Sequence, residues 1–179
     1  TYGYVSSKVA GRKAAGNKIA IYGDARPSYG VLEVIDVEAA DSRVNPWISW
    51  KYKVDMFFLW TLNEPSWNGR TINAWVDNYL PFNGGSNYIW GMGNFLYTGQ
   101  NKVFTAYDKG IPGPIASIRM KNWRRGQQDY EYLWLASKLG LQSQVDSIVN
   151  SIVPVAFDGY SKLNSAPSWP LRGYAYELA

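Results

Sequence analysis

Apolar and polar positions recur along this chain with a period that changes from segment to segment, and the period assigns the elements. Val5 to Ala15 is rich in helix formers, and Gly16-Asn17 supplies the stop signal that follows a helix C-terminus. Lys18-Ile-Ala-Ile-Tyr22 reads as a short buried strand, and Gly23-Asp24-Ala-Arg26-Pro27 must be a loop. A second helix is predicted around Glu33 to Ala40. Pro46 suits the first turn of the next, with Trp47, Trp50, Lys51 and Val54 spaced along it. Asp55 to Leu62 is the clearest strand, apolar almost throughout, as expected for a parallel strand covered on both faces. Asn63-Glu64-Pro65 ends it.

From there to Pro114 the chain is irregular and rich in Gly, Asn and aromatics, with Asn94 to Tyr97 a candidate third strand. A connection of that length in a compact domain is usually functional. Ile115 to Leu139 is predicted as a long helix whose inward stripe is Arg119, Trp123, Gly126, Tyr130, Leu133 and Trp134. Gly126 costs about 1 kcal/mol relative to Ala in mid-helix, so it calls for a close approach to another element. Gly140 is the stop, Val145 to Val153 a further amphipathic helix, and Pro167 to Pro170 punctuates the tail.

Helices alternating with strands place the chain in the α/β class, with parallel strands joined by right-handed crossovers. Two buried parallel strands cannot close a barrel, and an open parallel pair leaves unpaired edges. With 179 residues, the chain is also shorter than the roughly 250 of a closed eight-stranded barrel. The expectation is an incomplete architecture whose first residue, Thr1, marks a processing site, a proteolytic cut or an expression boundary. No signal-peptide pattern is seen near it, and no apolar run approaches the roughly 18 residues of a membrane span.

Composition narrows the chemistry. The absence of Cys and His excludes thiol nucleophiles, histidine bases, disulfides and the usual zinc or copper sites. No metal and no cofactor is expected. The net charge of +4 is scattered, and its one dense patch, Lys121 to Arg125, lies in a helical pattern followed by Asp129 and Glu131, so nucleic acid is not an expected partner. Aromatic residues make up 16% of the chain, with nine Trp and fourteen Tyr. Such faces suit sugar rings, and they equally suit an ordinary core. Position has to decide.

Pro114-Ile-Ala-Ser117-Ile-Arg119, followed by Trp123-Arg-Arg-Gly126 and Asp129-Tyr130-Glu131-Tyr132-Leu133, resembles the last helix of the domain of unknown function 4091, allied to glycoside hydrolase family 123. Pro46-Trp47 through Lys51-Tyr52 and Phe57-Phe58-Leu59-Trp60 are similar to that family's helix and last barrel strand. Gly93-Asn94-Phe95-Leu96-Tyr97-Thr98-Gly99 is similar to its glycine-rich segment. Arg125 stands where the family usually has Asp, and Thr98 where it has Pro; the first change is expected to alter a surface pair with Asp129.

The resemblance implies the C-terminal part of a TIM-type (β/α)8 barrel. Residues 1–140 would supply its last βα units, and 141–179 a helix and tail packed on it. It further implies hydrolysis of 2-acetamido-sugar glycosides, in which the substrate's acetamide oxygen attacks the anomeric carbon. A neighbouring Asp-Glu pair orients that acetamide and serves as acid and base. No Asp-Glu dipeptide occurs here, so no catalytic residue is assigned to this chain.

Candidate substrate-binding residues follow from the rule that a barrel's active face lies at the strand C-termini. Tyr22 and Asp24 follow the first strand; Trp60, Asn63 and Glu64 end or follow the second. Trp60 either stacks on a sugar or packs the barrel, Glu64 either bonds a hydroxyl or is simply solvated, and Asp24 has a turn salt bridge with Arg26 as its alternative. Trp90 and Tyr97 are candidate sugar platforms in the long irregular stretch. Ser117 and Arg119, at the start of the last helix, either face the ligand or serve as a cap and a buried ion pair. Asp129 to Tyr132, midway down that helix, is read as structural.

Three functions remain: a carbohydrate-acting barrel segment completed by the rest of its parent or by another chain, a non-catalytic carbohydrate binder or scaffold, and a self-associating half-barrel that dimerises. Polysaccharide work points to an extracellular or periplasmic setting.

Overall fold

The computed structural model describes residues 6–22, 38–59, 62–67, 69–77, 79–82, 87–91, 94–156 and 168–179, with only the backbone of Tyr22, Trp67, 79–82 and 87–90. Helices and short strands are mixed, as the α/β class requires. In chain order come α1 (Ser6–Ala14), β1 (Ala20–Tyr22), α2 (Ala39–Lys51), β2 (Met56–Phe58), β3 (Ser66–Trp67) and β4 (Arg70–Thr71). They are followed by β5 (Tyr79–Phe82), β6 (Asn87–Trp90), β7 (Leu96–Thr98), β8 (Pro114–Ala116), α3 (Ile118–Lys138), α4 (Gln142–Ile152) and α5 (Tyr174–Glu177). Among the described residues no helix is long and apolar enough to cross a membrane.

β1 and β2 pair in parallel, Ala20 opposite Met56 and Tyr22 opposite Phe58. The other three strand pairs are antiparallel. The predicted strand from Asp55 to Leu62 is therefore shorter than expected, and it is not covered on both faces. Phe57 packs edge-on against Trp123 at 5.0 Å, while Met56 and Phe58 remain 59% and 50% exposed. The strand near Phe95 is β7, and its partner β8 runs antiparallel to it.

α2 is enclosed. Every residue from Ala40 to Ile48 is buried, polar ones included. The helix starts at Ala39, which places Pro46 in its interior rather than in its first turn. A proline there removes one ladder hydrogen bond, and the local geometry shows what occupies the seam. Gly126 of α3 crosses at this point, where a Cβ would overlap the Arg43 carbonyl oxygen and come within 3.0 Å of its carbon and of Pro46 Cδ. The close approach that Gly126 demanded is thus to another helix.

Down the rest of α3, Arg119 reaches back to the chain before β7, Trp123 meets Phe57 and Phe95, Tyr130 meets Trp50 edge-on at 5.1 Å, and Leu133 enters the core. Trp134 does not join them. It lies at the rim of the stripe, about 60° around the helix from Arg119 at roughly 100° per residue. It is largely exposed, with Lys138 over its ring. Val44, Trp47 and Ile48 of α2 pack with Leu133 of α3, Val145, Val149 and Ile152 of α4, and Tyr176 of α5, so the C-terminal tail shares one core with the central helices.

A buried ion pair fastens that core. Arg43 Nε and Nη2 donate to the two carboxylate oxygens of Asp129 at 2.7 and 2.9 Å, and Trp47 Nε1 donates to Asp129 at 3.0 Å. Arg43 Nη1 reaches Glu177 at 2.8 Å and the Gly173 carbonyl at 3.1 Å. Arg125 bonds Glu177 at 2.6 Å rather than Asp129, because Asp129 points inward to Arg43. Both helix stops occur where the glycines stand: Gly16 and Gly140 have φ of 79° and 89°. The helix expected over Glu33 to Ala40 falls mostly outside the described residues.

Candidate functional site

The backbone at Leu62 and Asn63, beyond β2 in the chain, is joined to the β7–β8 hairpin. The N–H groups of Phe95 and Leu96 both donate to the Leu62 carbonyl, at 2.9 and 3.1 Å, and Asn63 forms an isolated antiparallel bridge with Asn94. Ser117 N in turn donates to Phe95 O at 2.9 Å. Asn63, Tyr97, Ser117 and Arg119, proposed separately from the sequence, are thereby brought around one hairpin.

Two of the four serve the fold. Ser117 is the N-cap of α3, its hydroxyl accepting from Met120 N at 3.1 Å, and the helix begins at Ile118 rather than Ile115 because Pro114 to Ala116 pair in β8. Arg119 is buried over the Phe95 ring. It donates through Nη1 to Gly91 O and through Nη2 to Asn94 O, both at 2.6 Å. The contacts described for Arg119 thus form a clasp on two backbone carbonyls. Asn94 itself is buried, with Nδ2 donating to Asp77 O at 3.3 Å and Oδ1 without a partner among the described residues.

Beside this clasp lies an aromatic shelf. Trp75 and Tyr97 face each other with centroids 4.8 Å apart and planes 31° from parallel. The indole is fixed through Nε1, which donates to Thr98 O at 2.9 Å. The turn carrying Trp75 is fixed as well: Asn73 Oδ1 accepts from Trp75 N at 3.2 Å, and Asp77 accepts from Asn73 N at 3.1 Å while pairing with Arg70. Lys109 Nζ stands 4.9 Å over the Trp75 ring. The backbone carrying Lys109 is drawn in by Gly99, whose carbonyl accepts from Lys109 N and Ile111 N. A Cβ at position 99 would overlap the carbonyl oxygens of Ile111 and Gly113, so glycine is required there.

The remaining candidates stand apart from this cluster or outside the description. Glu64 is half-buried directly after Asn63, and Tyr22 ends β1 opposite Phe58. Trp90 lies in β6 opposite Tyr79, with only its backbone described. Asp24 and Trp60 lie outside the described residues. Sequence reasoning missed Trp75, Asn94 and Lys109. An Asn68-Gly69 pair between apolar and polar alternations is a strong two-residue hairpin signal, and it separates Trp67 from its partner Arg70. Reading it would have split the irregular stretch and exposed the Asn73-to-Asp77 turn.

Among the described residues no three acidic side chains gather in a metal-holding cluster. The arrangement can stack a flat apolar face and offer polar groups at its edge; among the described residues it brings no two carboxylates together. No protein-family model matches the sequence, and no curated protein matches it.

Proposed function

We propose that this chain is a C-terminal segment of a glycoside hydrolase-like (β/α)8 barrel that supplies substrate-binding walls for 2-acetamido-sugar glycosides. The acid–base pair of the substrate-assisted reaction is contributed by the remainder of the parent protein. The observation that carries the proposal is the Trp75–Tyr97 shelf, held through Thr98, with Asn63 bridged to Asn94 just before β7. Rigid aromatic faces with polar neighbours suit sugar rings, whose axial C–H groups pack on the π surface.

Two further features support the barrel setting. β1 and β2 are parallel with α2 between them in sequence, and the β2 face carrying Met56 and Phe58 is 59% and 50% exposed at those residues, more than a strand in a parallel sheet usually leaves. Strands from the parent protein, or a second copy of this chain, would cover it; sedimentation of the isolated chain separates the two. Titration of the chain with N-acetylglucosamine and N-acetylgalactosamine oligosaccharides, read by tryptophan emission and by release of free N-acetylhexosamine, tests the function. Saturable quenching without release is expected. No quenching by either sugar, or release by this chain alone, contradicts the proposal.

A further inference from the structure

We infer that the face of Trp75 under Lys109 is a subsite for an acidic sugar, one carrying a carboxylate or sulfate. This inference rests on the carbohydrate-binding function proposed above and names the ligand class of the same shelf. A centroid separation of 4.8 Å leaves no room for an ammonium between Trp75 and Tyr97, so Lys109 covers the opposite face of the indole. Lys109 is exposed and, among the described residues, forms no ion pair, whereas Arg43, Arg70 and Arg125 each hold a carboxylate.

An exposed cation–π contact is weak, and a sugar ring that buries the same face displaces it readily. The backbone that carries the ammonium stays in place when that group is displaced. Lys109 N is bonded to Gly99 O at 3.0 Å, one residue beyond the Thr98 carbonyl that holds the indole. A ring stacked on Trp75 would therefore have a tethered, unpaired cation at its edge, which an anionic substituent satisfies and a neutral sugar does not.

The test compares two probes on the full chain: a tetrasaccharide alternating glucuronate with N-acetylglucosamine, and the all-N-acetylglucosamine tetrasaccharide. Binding is followed at the Trp75 Nε1–H resonance, assigned by its loss in Trp75→Phe. The acidic probe is expected to bind up to about fivefold more tightly, the range of one exposed ion pair. Lys109→Gln should erase the preference, and added salt should reduce it, while neutral binding is kept or improved. Equal binding of both probes, or a preference that survives Lys109→Gln, overturns the acidic subsite and leaves the carbohydrate-binding function standing. Absence of binding by both probes overturns the two together.

Discussion

Gly126 of α3 rests against the carbonyl of Arg43 in α2, with the Pro46 ring closing the same seam. The hydrogen-bond ladder is already interrupted there by a proline, and the partner helix has no side chain to hold the backbones apart. The two irregularities coincide because each makes room for the other.

Gly126→Ala measures that contact. The substitution gains about 1 kcal/mol of helix propensity, against an overpacking cost that runs to about 3 kcal/mol. The obstructing atom is backbone, so the cost wins. Urea unfolding should show a net loss of about 2 kcal/mol, with the slope unchanged.

Asp129→Ala should be worse. It leaves the Arg43 guanidinium buried without its carboxylate and removes the acceptor of Trp47 Nε1. Breaking one side of such a pair costs about 3–5 kcal/mol. Arg125→Ala, which removes only an exposed contact with Glu177, should change stability far less in the same urea assay.

The tail's attachment should loosen in acid. Hydrogen bonds from Arg125 and Arg43 hold Glu177 below the usual carboxylate range, and the Ile19 N–H, with Lys13 and Lys18 beside it, does the same for Asp55. A depressed folded pKa contributes stability that is fully present above the unfolded carboxylate range, near about 4, and is lost as pH falls through the folded value. Asp41 has the opposite sign, because burial raises it while Trp169 Nε1 partly offsets the shift. Asp41→Asn keeps an oxygen acceptor for Trp169. It should be neutral or stabilising at neutral pH and lose that advantage in acid. Thermal melts across the acid range check both signs.

Arg119→Lys keeps the charge and loses the planar fork that spans Gly91 O and Asn94 O. One carbonyl then stays buried without its donor, at about 1–3 kcal/mol. Amide exchange should quicken first at Phe95 and Leu96, whose hydrogen bonds to Leu62 depend on the clasp.

Helix periods carried most of what was legible in the sequence. The α3 stripe, the need for a close approach at Gly126 and the structural reading of Asp129 all came from spacing along one helix, where contacts are fixed locally. Pro46 was misplaced because a proline marks a first turn by default, and only the tertiary seam with Gly126 explains its interior position. The irregular stretch showed the strand near Asn94 to Tyr97 but hid its partner β8 and the pairs β3–β4 and β5–β6, since strands of two to four residues give too few alternations to show a period. For the same reason the Trp75–Tyr97 contact, 22 residues apart in sequence, was invisible before the fold.

Calorimetric titration of the chain and of Trp75→Ala with the N-acetylglucosamine tetrasaccharide tests the sugar-binding shelf most directly. Saturable binding by the wild type, weakened at least about tenfold in the variant with far-UV circular dichroism unchanged, is the predicted result. Absence of binding by the wild type, or equal affinity in the two proteins, would contradict it.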